Sequence, residues 1–95
     1  MNVRFALLSP SGYNSRMMIH VKLIATYRDH LPPEAKNGVV VIDVPERTTV
    51  REAISRFGIP MDDTSVIVLN GLTVPLDTPL TEGDMVTAFS AIAGG

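Results

Sequence analysis

The 95-residue sequence predicts a single α+β domain, a mixed sheet of four to five strands with one main helix packed on one face. Three observations lead there. Strand-length segments with alternating or β-branched patterning recur along the chain. Only one segment, 49–58, carries helix signals at both ends. No second helical stripe is visible, which argues against a two-helix ferredoxin-like arrangement.

The first convincing strand is Ile19 to Thr26. Ile19, Val21, Leu23 and Ala25 point one way, and His20, Lys22, Ile24 and Thr26 the other. Met17-Met18 stand just before it, so the domain is expected to begin at Met18, with residues 1–17 as an N-terminal extension or an early start. Tyr27 to Asn37 reads as a loop or short helical turn broken by Pro32-Pro33. Gly38 then opens the β-branched run Val39 to Val44, closed by Pro45. Thr49-Val50-Arg51-Glu52 is a capping box, and Val50, Ala53, Ile54 and Phe57 form one apolar stripe. Gly58 and Pro60 end that helix. Ser65 to Leu69 is a third strand, Asn70-Gly71 a tight turn, and Thr73-Val74 a short strand. Leu80 is an expected core anchor, Glu82-Gly83-Asp84 a turn, and Met85 to Ile92 the last strand. Two strands, a crossover helix and further strands describe the β-grasp, or ubiquitin-like roll.

Composition narrows the function classes. The hydrophobic fraction is 45% and net charge is −2, with no cysteine. Disulfides, thiolate metal sites and a thiol nucleophile are thereby excluded, and a cytoplasmic location is expected. After Phe57 the chain has five acids (Asp62, Asp63, Asp77, Glu82, Asp84) and no Lys or Arg. Phosphate contacts need cations, so this half argues against nucleic acid; its acids would either steer a basic protein partner or serve as a solvated, solubilising surface. No run approaches the about 20 apolar residues of a membrane span. Phe5-Ala6-Leu7-Leu8 is too short for a secretory h-region of about 7–15 residues.

A self-sufficient catalytic set is not found. His20 and His30 share no ligand spacing and read as surface histidines. Asp62-Asp63 reads as a loop or strand entry, because adjacent side chains diverge. No phosphate-binding glycine loop is present. What stands out is Gly94-Gly95, directly after the last apolar run. Without Cβ atoms these residues make a thin arm able to enter a narrow channel, with a carboxylate expected at its tip.

Residues Leu69 to Gly95 carry a resemblance. The Asn70-Gly71 turn, Val74, Pro79-Leu80, Glu82-Gly83-Asp84, Val86 and Gly94-Gly95 recur in this order in the MoaD/ThiS family of ubiquitin-like sulfur carriers, which the chain resembles over about 18–95. The resemblance implies a carrier protein, not an enzyme. A ubiquitin-activating-like adenylyltransferase would use ATP to adenylate Gly95, and an activated sulfur would convert it to a thiocarboxylate. No cofactor is implied on the carrier itself. Gly94 would serve tail access.

In the same pattern Ile24, Phe89 and Thr73 belong to the partner-facing surface, as do Ala91, Ile92 and Ala93, which lead into the tail. Thr73 replaces an apolar residue often seen there. The alternation independently sets Ile24 and Phe89 on the face opposite the core, near each other if the first and last strands are neighbours. Two branches remain. The Tyr27–Asn37 insertion and the Pro79-Leu80 to Gly83-Asp84 spacing favour the small subunit of molybdopterin synthase, partner to its large subunit. Ser90-Ala91 and the Ala91-Ile92-Ala93 run resemble the carrier that serves thiazole synthase in thiamin synthesis. Two further readings are a protein modifier joined to lysines through Gly95, and a plain interaction domain.

Overall fold

A computed structural model describes residues 15–91. Five strands form one sheet: β1 (Arg16–Leu23), β2 (Val39–Pro45), β3 (Ser65–Leu69), β4 (Leu72–Thr73) and β5 (Met85–Ser90). Their order across the sheet is β2-β1-β5-β3-β4. The central pair, β1 and β5, is parallel, and the other pairings are antiparallel. Helix α1 (Val50–Ser55) lies between β2 and β3 in sequence. This is the mixed β-grasp sheet expected from the sequence, with its first and last strands side by side.

The core follows from period-two patterning. Met17, Ile19, Val21 and Leu23 of β1 are buried, as are Val86 and Ala88 of β5 and Ile67 and Leu69 of β3. The helix closes this layer with Val50, Ala53 and Ile54, and Phe57 packs against its margin. Thr49 caps α1 as expected. Its hydroxyl accepts from the Glu52 N–H at 3.2 Å, and the Glu52 carboxylate accepts from the Thr49 N–H at 2.9 Å. Leu80 is buried at 3% exposure and is the anchor the sequence indicated.

Three boundaries differ from expectation. The strand begins at Arg16, and Met17 is a core residue, so the expected 17/18 boundary falls inside β1. Residues 1–14 of the expected extension lie outside the described residues. Second, β1 stops at Leu23 and Ala25 is exposed. Ala25 takes φ 56°, which turns the chain into a 3-10 helix (Ala25–His30) and breaks the alternation. Tyr27, two residues later, becomes the buried group instead. Third, β4 is Leu72–Thr73, one residue earlier than expected. Asn70 (φ 51°) and Gly71 (φ 88°) both sit in the left-handed region, giving a two-residue turn that pairs Leu69 with Leu72.

The outer edge of β2 is engaged at both ends and at the Asp43 carbonyl. Backbone bonds from Leu23 to Gly38 and from Glu46 to Ser15 turn alternate residues of β2 toward β1, leaving Val39, Val41, Asp43 and Pro45 facing outward. Val39 exchanges both backbone bonds with Lys36, at 2.9 and 3.0 Å. The Asp43 carbonyl accepts from Arg16 at 3.1 Å and Arg56 at 3.4 Å. Pro45 has no N–H, and its carbonyl accepts from the Thr48 hydroxyl at 2.7 Å.

Candidate functional site

The sheet face opposite α1 has no covering element among the described residues. Its side chains are the out-of-phase members of each strand. The β1–β5 register sets Leu23 beside Ala88, so Ile24 comes beside Phe89, and the Ile24 N–H donates to the Ala88 carbonyl at 3.1 Å. Phe89 in turn opposes Val66 of β3. Ile24 is 38% exposed, while Phe89 and Val66 are half-buried. The structure thus brings together the two residues that alternation had set on one face. Thr73 shares that face from the sheet margin, opposite Val68. It also lines a groove of about 470 Å³ with Met61, Val66, Val74 and Leu76, so Val66 links Thr73 to the Ile24–Phe89 patch.

The patch is wider than the sequence reading made it. Val66 and Val68 belong to it through β3, where Ile67 points inward and its neighbours do not. That alternation was readable, but Val-Ile-Val is uniformly apolar and the face could not be assigned before the register was known. Met18 (43% exposed) and Val41 (46%) extend the apolar face to its far end. His20 lies between them, opposite Val41 and Met85. His30 Nδ1 is 3.0 Å from the Phe57 carbonyl. No group of three or more metal-ligating side chains occurs among the described residues.

Two polar clusters fix the ends of β5. At its start, the Asp84 carboxylate accepts from Asn70 Nδ2 at 2.9 Å and from the Thr81 N–H at 2.8 Å. Asn70 Oδ1 accepts from the Met85 N–H at 2.8 Å. The two turn motifs of the sequence, Asn70-Gly71 and Gly83-Asp84, are therefore one hydrogen-bonded unit. Burial pushes the Asp84 carboxyl up, but the bonds from Asn70 and Thr81 outweigh it and hold the group below the usual carboxylate range. A carboxyl lowered in the folded state stabilises the fold above its unfolded value, and that contribution is lost as pH falls through the folded value. Replacing Asp84 by Ala is expected to cost about 1–2 kcal/mol near neutral pH. The gap from wild type narrows in denaturant titrations as the medium is acidified through and below the carboxylate range.

At the other end, the Ala91 N–H donates to the Thr64 carbonyl at 2.6 Å. Thr64 is held by Asp62, whose Oδ1 accepts from its N–H at 2.8 Å and its hydroxyl at 2.6 Å. The Thr64 side-chain bond, chiefly, lowers the Asp62 carboxyl, as its backbone bond also does. The Asp62-Asp63 pair is thus a strand entry, as its sequence suggested. Ala91 is exposed and forms a bend. Ile92, Ala93, Gly94 and Gly95 lie outside the described residues.

The family model described as Mut7-C ubiquitin matches residues 16–93. No curated protein matches the chain. Several solved structures do. The small archaeal modifier protein 1 of Haloferax volcanii superposes with a TM-score of 0.65 at 19% identity, covering 80% of this chain and 99% of that one. The putative molybdopterin converting factor subunit 1 of Pyrococcus furiosus gives 0.62 at 26% identity, covering 80% and 99%. A chain in the complex of subunits 1 and 2 of the molybdopterin-converting factor of Helicobacter pylori gives 0.53 at 20%, covering 83% and 100%. The likeness is to small ubiquitin-like proteins of the carrier and modifier kind, including those of the MoaD branch that the sequence resembles.

Proposed function

Because the chain belongs to the Mut7-C ubiquitin family, within the ubiquitin-like carriers and modifiers, we propose that it carries sulfur as a thiocarboxylate at Gly95, for molybdopterin biosynthesis. The observation that carries this reading is the pairing of Ile24 with Phe89 on the open face, on the strand that leads toward Gly94-Gly95. An apolar patch with an aromatic member is a suitable anchor for a protein partner. It lies at the end of β5 from which the chain runs on to the reactive carboxylate.

The chemistry resides in the partners. A carboxylate is a poor electrophile. An oxygen of the Gly95 carboxylate attacks the α-phosphorus of ATP, pyrophosphate leaves, and the acyl-adenylate forms. Sulfur at the oxidation level of hydrosulfide then attacks the carbonyl carbon, AMP leaves, and a C–S bond replaces the C–O bond. The thiocarboxylate sulfur is the nucleophile delivered to the acceptor. The carrier itself supplies docking and reach, by Ile24, Phe89, Val66 and Thr73 on the face and by Ala91 to Gly94 in the arm. The partners proposed are a ubiquitin-activating-like adenylyltransferase and the large subunit of molybdopterin synthase. The Helicobacter complex, which joins subunits 1 and 2 of the molybdopterin-converting factor, supports the second.

The test is intact-mass analysis of the chain after incubation with its cognate activating enzyme, ATP and sulfide. One sulfur-for-oxygen exchange, localised to Gly95 by fragmentation, is the expected result. An unchanged mass with an enzyme active on another carrier overturns the reading. Support of thiazole synthase, but not of molybdopterin synthase, overturns the branch. Gly-Gly remnants on lysines of cellular proteins without any thiocarboxylate favour a modifier.

A further inference from the structure

Resting on that reading, we propose that Thr64 is a positioning residue that clamps the root of the reactive tail. The Thr64 hydroxyl lies 2.6 Å from Asp62 Oδ1 and 3.2 Å from the Ser90 hydroxyl. Its carbonyl accepts the Ala91 N–H at 2.6 Å. Ser90 is the last residue of β5, and Ala91 is the first residue beyond it, where the arm begins. Asp62 is fixed from the other side: its N–H donates to Ser65 Oγ at 3.1 Å, and Ser65 Oγ is 2.6 Å from the Tyr27 hydroxyl. Tyr27 is buried in the core. The clamp therefore runs from the core through Ser65, Asp62 and Thr64 to Ser90 and Ala91.

The Ala91–Thr64 bond is the last of the β3–β5 ladder, flanking the Ser65–Ser90 pair. β3 begins at Ser65, and its register with β5 ends at Ser90. Thr64 continues the pairing one residue beyond the strand by turning its carbonyl to Ala91, and its side chain secures that turn. Without the hydroxyl, the outermost β5 contact recedes toward the Phe89–Val66 pair.

The consequence for a tail reaction is geometric. From Ala91 to Gly95 there are four residues, which reach at most about 14 Å at 3.3–3.6 Å each. From Phe89 there are six, reaching about 21 Å. By loop-closure scaling the effective concentration of the tip falls roughly as the −3/2 power of length, about twofold, and the cube of the reach gives about threefold. Binding through the sheet face is unaffected. A loosened clamp thus lowers kcat for adenylation about two- to threefold and leaves KM for the carrier unchanged.

Thr64→Val removes the hydroxyl and keeps the branched shape, and Thr64→Ser restores the hydroxyl. Two measurements test the assignment on the full chain. Amide hydrogen exchange of Ala91 is expected to accelerate about tenfold in Thr64→Val and to return toward wild type in Thr64→Ser, with Val66 and Val86 unchanged. Steady-state activation by the cognate enzyme is expected to show the kcat loss without a KM change, again rescued by Ser. A variant with faster exchange throughout the sheet is generally destabilised, and that result overturns a local clamp. An active wild type with an unaltered Thr64→Val variant overturns the positioning role and leaves the carrier reading standing. A wild type that the enzyme does not activate overturns both.

Discussion

Gly94→Val is expected to abolish conversion of Gly95 to a thiocarboxylate while leaving the thermal unfolding curve where it is. The two halves of this result have separate causes. Gly94 lies three residues beyond Ala91 in the sequence, and the described core residues, Met17 to Ala88, all precede it. An active site that accepts the arm must close around its backbone to exclude water from an acyl-adenylate. A β-branched side chain both widens the arm and stiffens it about χ1. Deleting Gly95 has the same effect, because the carboxylate is then displaced by one residue. Intact-mass analysis with the activating enzyme, ATP and sulfide reads the outcome, and a Gly94→Val chain that still gains sulfur at wild-type rate contradicts the channel argument. Gly94→Ala, with a single added methyl, is expected to retain partial activity.

Phe89→Asp is the second large effect, and it acts on binding. Phe89 stands between Ile24 and Val66 on the uncovered face. Buried aromatic anchors at protein interfaces contribute about 2–4 kcal/mol, so affinity for the synthase large subunit is expected to fall about 30- to 1000-fold. An aspartate there also leaves a desolvated charge in the complex. The fold tolerates the change better, since Phe89 is on the side of β5 away from Val86 and Ala88. Calorimetric titration with the large subunit measures the loss, and the unfolding midpoint of the free variant separates it from misfolding. Unchanged affinity in a folded Phe89→Asp chain places the interface elsewhere.

Most of the architecture was readable because each element carries its own punctuation. The capping box at Thr49 and Glu52 fixes the start of α1, and Asn70-Gly71 fixes a two-residue turn, whatever the surrounding fold. Strand ends were less legible. The alternation from Ile19 to Ala25 extends smoothly through Ala25, and nothing in that stretch announces a left-handed alanine. The turn there is decided by burial of Tyr27 and its bond to Ser65, which depend on β3, about forty residues away. The site divides the same way. Ile24 and Phe89 were found from period two alone, but their adjacency required the parallel pairing of β1 with β5. The Asp84–Asn70 unit and the Thr64 clamp join residues 14 and 26 positions apart, so each half looked like an ordinary turn signal.

The engaged outer edge of β2 has a consequence for how this protein meets others. Strand addition is the most general way for one sheet to recruit another chain, because backbone recognises backbone with little regard to sequence. Here Lys36, Arg16, Arg56 and Pro45 occupy or remove most of the hydrogen-bonding positions that such an incoming strand would need. Strand addition at this edge is thereby disfavoured relative to docking on the open face, where side chains set the terms. On the proposed reading, a carrier passed between an activating enzyme and a synthase would gain selectivity from this arrangement: Ile24, Phe89 and their neighbours offer the hold, and a strand arriving at the β2 edge finds few free positions.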